Sequence, residues 1–260
     1  MLSEKEINKL LNDVYRGKIS LDDLPVDLFL MTGKKLQAAL YQGFGQTLKS
    51  KSIEAPAYEL LNSLRTNAYR FSGAKTFQNI KDTQALTMDS KGYIRSFSEF
   101  LPDARKLYDI YNVNWLDAEY NTTISLADSA AKWQQYEADA GTLPYLEYQA
   151  VMDSNTRPEH ASMNGILLPV NDSFWNSNMP PNGWRCRCEV IQVRSGKQTT
   201  LTPAKREELK NEVEPMFRNN PGTSKMLFKE AGKDAHPYFK VGEKYESKKQ
   251  NNFGLEIPKP

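Results

Sequence analysis

DSNTRPEHASMNGILLPVNDSFWNSNMPPNGWRCRC, from Asp153 to Cys188, is the stretch that decides the fold of this chain. A strand ends at Met152, and a polar turn follows through Asp153, Ser154 and Asn155. Thr156 and Glu159 have the spacing of a capping box for a short helix, with Pro158 tolerated in its first turn. That helix carries Arg157 and His160 on nearly the same side, three residues apart. Asn164-Gly165 closes it with a left-handed cap. ILLPV (Ile166 to Val170) reads as a short strand, and a loop with Asp172, Phe174 and Trp175 follows it. The rigid turn Pro180-Pro181-Asn182-Gly183 leads into WRCRCEVIQV (Trp184 to Val193), which alternates with period two. Trp184, Cys186, Cys188 and Val190 share one face of that strand, and Arg185, Arg187 and Glu189 share the other. The reading predicts that Asp153, Arg157, His160 and both cysteines converge at one edge of a small sheet.

Upstream, YLEYQAVM (Tyr145 to Met152) is aromatic-rich and reads as another strand. Before it lies the strongest helical signal, starting after Pro102-Asp103 and reaching about Ala140, where Gly141 and Pro144 stop it. Ala104, Tyr108, Tyr111 and Trp115 form one line along that helix, and Leu116, Tyr120, Ile124, Ala127 and Ala131 form a second. Unbroken, it would run roughly 55 Å. The first hundred residues add three further helices. One starts at the Ser3/Glu6 capping box and buries Ile7, Leu10, Leu11 and Val14 before Gly17. A second spans about Pro25 to Leu48, with Gly33, Gly43 and Gly45 as candidate break points, and a third follows Pro56. Ser72 to Ser90 is polar and gives no clear element. After Ser195, Thr202 and Pro203 mark one more helix start. The lysine-rich end from Lys240 reads as a tail that orders only against a partner. The expectation is an α+β chain with a helical region over 1–101, a module over 102–195, and a C-terminal extension over 196–260.

Bulk properties narrow the function. The 260 residues are 39% hydrophobic and 25% charged, and the net charge is only +2, with Lys and Arg interspersed among acids. That balance lacks the clustered basic face of a dedicated nucleic-acid binder. The mean hydropathy of −0.65 and the lack of a long apolar run argue against a membrane span. The beginning of the chain carries acids and no apolar leader core, so the expected location is the cytoplasm or a particle assembled there. Two cysteines separated by one residue seldom form a disulfide, and a reducing compartment disfavours one further.

The pattern D-x-x-x-R-x-x-H (Asp153, Arg157, His160), then Gly165, then D-x-x-W (Asp172, Trp175), then P-P-x-G-W-x-C-R-C resembles the phage Mu protein F-like family. In the last element the residues are Pro181, Gly183, Trp184, Cys186, Arg187 and Cys188. The preceding YNVNWLDAEYNTTISLADSAAKW is also similar to the helix before this domain in such proteins. The resemblance implies a minor head or head-morphogenesis protein of a tailed phage, a structural protein and not an enzyme. It further implies portal, capsid and scaffold partners and a place in the virion after assembly in the host cytoplasm. Some relatives carry an added toxin domain, so the alternative is an effector enzyme, a nuclease or ADP-ribosyltransferase, delivered with phage DNA. The short segment after the motif favours the structural reading.

His160, Cys186 and Cys188 admit two explanations. They form a zinc site of imidazole and two thiolates with Asp153 as a possible fourth ligand. Otherwise they belong to a polar knot in which Asp153 pairs with Arg157, His160 bonds to backbone and the thiols sit in the core. The knot, with no cofactor, is the preferred reading, and a Cys-His nucleophile is disfavoured because nothing suggests an oxyanion pocket. His236, beside Pro237-Tyr238-Phe239, reads as a packing residue more than a base. Trp115, Tyr111, Trp133 and Tyr136 are either core or a docking face. Lys248, Lys249 and Lys259 offer cations to packaged DNA, although a solvated tail is preferred.

Overall fold

The computed structural model describes residues 2–50 and 52–260. It is mainly helical with one small sheet, an α+β architecture as expected. Helix α1 (Glu4–Tyr15) opens on the Ser3/Glu6 capping box and buries Ile7, Leu10, Leu11 and Val14. Helix α2 (Val26–Phe44) runs straight through two of its candidate break points. Gly33 and Gly43 are close-approach positions: an added Cβ would lie 2.5 Å from the Tyr69 ring at the first and 2.1 Å from the Ile124 carbonyl oxygen at the second. Only Gly45 ends the helix, with φ +74°.

Helix α3 (Ala55–Ala85) extends through most of the polar stretch that gave no clear element. Its second half is buried nearly all round, so it has no polar face to reveal a helical period. Its polar groups are satisfied inside the protein: the Ser72 hydroxyl donates to the Phe29 carbonyl at 2.7 Å, and the Thr83 hydroxyl donates to the Asn79 carbonyl at 2.7 Å.

The long helical run begins earlier than Pro102. Ser96 and Glu99 make a second capping box, and helix α4 (Phe97–Asp109) keeps Pro102 inside it. The proline forfeits one backbone hydrogen bond, which the cap and the burial of Phe100, Ala104 and Tyr108 offset. A π-helical turn (Ile110–Trp115) then joins α4 to α5 (Leu116–Asp139), so the run reaches Asp139 without a gap but not as one regular helix.

The sheet contains β1 (Tyr145–Gln149), β2 (Leu167–Pro169) and β3 (Glu189–Val193) in the order β2-β1-β3, antiparallel throughout. Tyr145 lies opposite both Pro169 and Val193, and Tyr148 lies opposite Val190. All three strands are shorter than the apolar runs that announced them. Short helices α6 (Pro158–Ala161) and α7 (Trp175–Asn178) fill the connections, and α8 (Pro203–Glu212) starts where Thr202 and Pro203 predict it. The Thr202 hydroxyl accepts from the Lys205 N–H at 3.2 Å. Helices α9 (Pro221–Ser224) and α10 (Glu246–Gln250) come last.

The chain divides into two compact units. The first contains Met1–Gln37, Ala68–Tyr120 and Tyr238–Pro260. Its core includes Phe29, Phe71, Phe77 and Phe100. The segment read as a tail belongs to this core: the Phe77 ring stacks on Phe253 at 4.7 Å and meets Tyr245 edge-on at 4.9 Å. Lys248 reaches Asp22, and Lys249 pairs with Glu246 at 2.6 Å, so neither extends as a free arm. The second unit contains Ala38–Asn67 and Asn121–Pro237. Leu146 and Tyr148 point from β1 into its core against Trp133, Tyr136 and Trp175. Among the described residues no helix is long and apolar enough to cross a membrane.

Candidate functional site

The site is built on the loop between β1 and β2 and the loop that enters β3, both in the second unit. Three residues after β1, and not at its end, the backbone of Met152 takes φ +59° and turns the chain. Asp153 then organises the next three residues: its carboxylate accepts from the Asn155 N–H at 2.9 Å and from the Thr156 hydroxyl at 3.2 Å. Thr156 is thereby engaged with Asp153, and the expected Thr156/Glu159 capping box does not form. Helix α6 starts instead from Arg157 in extended backbone conformation, with Pro158 as its first residue and no side-chain cap. The predicted left-handed turn is present at Gly165, φ +75°, whose N–H donates to the Tyr148 carbonyl at 2.8 Å.

The entry to β3 departs from the predicted ten-residue strand. Trp184 and Arg185 form a turn, in which Arg185 has φ +57° and the Cys186 N–H donates to the Gly183 carbonyl at 3.2 Å, and Cys186 to Cys188 follow it outside any ladder. Ladder pairing begins only at Glu189. Cys186 and Cys188 nevertheless share a side, as their spacing of two predicts, with both sulfurs facing His160.

Asp153, Arg157, His160 and both thiols converge as expected, but the partners differ. Arg187, not Arg157, pairs with Asp153, donating at 2.7 and 2.6 Å in bidentate fashion. This contact holds the Asp153 carboxyl well below the usual carboxylate range. Arg157 donates to the Trp184 carbonyl at 2.8 Å and lies against Gly183, where an added Cβ would come within 3.1 Å of its guanidinium. The Asp153–Arg157 pair does not form because Arg187 takes both Asp153 oxygens and Arg157 is committed to the Trp184 carbonyl. Asp153 is not among the donor atoms gathered within 4.8 Å of one another at His160, Cys186 and Cys188.

His160 is buried, and its Nδ1 lies 3.6 Å from Cys186 Sγ and 3.6 Å from Cys188 Sγ. It bonds to the thiols and not to backbone through this nitrogen, and the thiols are half-buried instead of enclosed in the core. The three donor atoms lie within 4.8 Å of one another. The hydrogen bond from Cys188, aided by His160, lowers Cys186 to about 4, and the same bond together with burial pushes the Cys188 thiol up. A cavity of about 20 Å³ adjoins the three, lined also by Arg157, Arg185 and Arg187. Asp153 does not orient His160, so no Cys-His-Asp relay is assembled.

The remaining motif residues fasten the module. Asp172 accepts from the Phe174 N–H at 2.8 Å and from Arg206 at 2.6 and 2.9 Å. Trp175 is fully buried, and its indole N–H donates to the Pro169 carbonyl at 3.0 Å. Pro181 follows Pro180 through a cis peptide bond. Trp184 packs edge-on against Phe217 at 5.1 Å and against His236 at 6.2 Å, which places His236 as a packing residue.

Sequence reasoning missed Asn182, Arg206 and Tyr148. Asn182 is buried, takes a 2.8 Å hydrogen bond from the Tyr148 hydroxyl and donates to the Met179 carbonyl at 3.2 Å. A polar side chain inside a proline-rigid turn was a usable signal for it; Arg206 lies outside the motif and offered none. Of the aromatic line on the long helix, Tyr111, Trp133 and Tyr136 are core, and only Trp115 is exposed, at 44%.

Residues 95–191 match the family model described as Phage Mu protein F like protein. The matched span includes every residue of the Asp153–Cys188 motif. Over this span the chain is similar to the Mu protein F-like family. Among curated proteins, it is 34% identical over 116 residues to the Escherichia phage Mu protein named "Putative capsid assembly protein F", covering 45% of this chain and 24% of that protein. It is 39% identical over 61 residues to the "Mu-like prophage FluMu F protein" of Haemophilus influenzae, covering 24% of this chain and 15% of that protein. The chain thus spans less than a quarter of the length of these relatives in the matched regions. No solved structure matches it.

Proposed function

We propose that this protein is a minor head-assembly protein of a tailed phage, which docks on portal and capsid proteins, ends in the virion, and performs no catalysis. The observation that carries the reading is how the motif side chains of the Mu protein F-like module are engaged. Asp153 holds Arg187, Arg157 holds the Trp184 carbonyl, and Asp172 holds Arg206. Such groups rigidify a surface and present it in one shape. The name of the phage Mu relative, a capsid assembly protein, points the same way.

Co-expression with the portal protein encoded in the same phage, followed by gel filtration and analysis of purified heads, tests the proposal. The expected result is co-migration with the portal and presence in the heads. A chain that migrates alone and is missing from heads assembled in its presence overturns it. So does turnover of nucleic acid or NAD that is lost in His160→Ala, which would favour an effector enzyme.

A further inference from the structure

We propose that His160, Cys186 and Cys188 bind one zinc ion that ties helix α6 to the turn entering β3, with water in the fourth position. The inference is independent of the assembly reading: a head protein can work metal-free, and zinc can bind whether or not the portal is captured.

The donor set suits the metal. Two thiolates and an imidazole are borderline-soft ligands of the kind zinc takes, and hard cations such as magnesium and calcium prefer oxygen. The spacing fits as well. Zinc bonds of about 2.3 Å to sulfur and 2.0–2.1 Å to nitrogen, set at a tetrahedral angle, place the nitrogen roughly 3.6 Å from each sulfur. Nδ1 of His160 lies 3.6 Å from both Cys186 Sγ and Cys188 Sγ. A neutral imidazole nitrogen has one in-plane lone pair and accepts well from one thiol only. Without metal the second sulfur bonds to the first, whereas a cation at the centre takes all three donors at once.

The surroundings agree. Cys186 and Cys188 lie outside the β3 ladder, and both sulfurs reach Nδ1 of His160. The adjoining cavity of about 20 Å³ is the size that holds a single water. Asp153 lies outside the donor cluster and is engaged by Arg187.

The test uses the full chain, purified under reducing conditions without chelator and dialysed against zinc. Elemental analysis is expected to find near one zinc ion per chain. Cys186→Ser, Cys188→Ser and His160→Ala are each expected to lose affinity by more than the roughly 10–100-fold typical of outer-shell substitutions. Because a variant can fail to fold, two wild-type measurements accompany them. Cobalt titration is expected to give a tetrahedral visible spectrum with sulfur-to-cobalt charge transfer. Zinc is expected to slow alkylation of both cysteines, and a chelator to restore it. Absence of bound metal, a different metal at one per chain, a cobalt spectrum without sulfur bands, or alkylation indifferent to zinc each overturns the proposal.

Discussion

Lys75 and Glu119 meet in the core of the first unit with both side chains only 2% exposed, whereas Asp153 and Arg187 meet at the edge of the second with 39% and 46% exposed. Both are direct contacts between a carboxylate and a cation, yet their chemistry runs in opposite directions. Burial pushes Lys75 down and Glu119 up, against the attraction between them. At the edge, the Arg187 hydrogen bonds pull Asp153 down. Asp172 and Arg206 fall between, at 16% and 33% exposed, and the Asp172 carboxyl is lowered by its arginine. Surroundings and not contact distance decide what such a pair does. Around Lys75 and Glu119 the protein adds a hydroxyl, since Tyr238 donates to Glu119 at 3.1 Å, and a ring, since the ammonium lies 5.9 Å from the Tyr238 centroid.

The sharpest way to break this ranking is to orphan the buried pair. Lys75→Met leaves Glu119 without its cation and is expected to cost on the order of 3–5 kcal/mol in denaturant unfolding. Lys75→Met combined with Glu119→Leu is expected to recover most of that loss, because two apolar side chains replace two desolvated charges. A single variant as stable as the parent would show that the pair is not held as described.

Asp172→Asn is expected to cost about 1 kcal/mol at neutral pH, because its partner is half in water. The pH dependence gives a second reading. Asp172 is depressed in the folded state, so its contribution is fully present above the ordinary carboxylate value of about 3.9. It is lost as pH falls from there through the folded value. The stability difference between parent and Asp172→Asn, followed by thermal unfolding, should therefore shrink on acidification below about pH 4 and stay constant above pH 5. A difference that grows on acidification would reverse the assignment.

Asp153→Asn is expected to have the smallest effect, since the pair is exposed and screened, and that effect should fade as salt rises. A loss as large as that of Lys75→Met would mean that the Asp153 turn holds the module in a way its exposure does not suggest.

What could be read in advance follows the same division. The Asp153–Cys188 stretch announced itself, because glycine, proline and paired polar residues at fixed offsets report local backbone geometry. It brought the right residues together and misassigned Arg157, because a neighbour in sequence suggests itself as the partner while the actual one, Arg187, lies 34 residues on. Lys75 and Asn79 were invisible for the opposite reason. A run of polar residues reads as solvent-exposed unless its partners are known, and Glu119 lies 44 residues from Lys75. The lysine-rich end misled similarly: its lysines outnumber Tyr245, Phe253 and Leu255, yet those few apolar groups fix its place.

The π turn at Ile110–Trp115 has a consequence for anyone counting along this helix. Bonds that skip five residues make each step advance less around the axis than the 3.6-residue ruler assumes. Ala104, Tyr108 and Tyr111 keep time with the interior, while Trp115, the next beat of the same rhythm, falls outside. Two rulers are needed for a single rod, and the place to change them is residue 110.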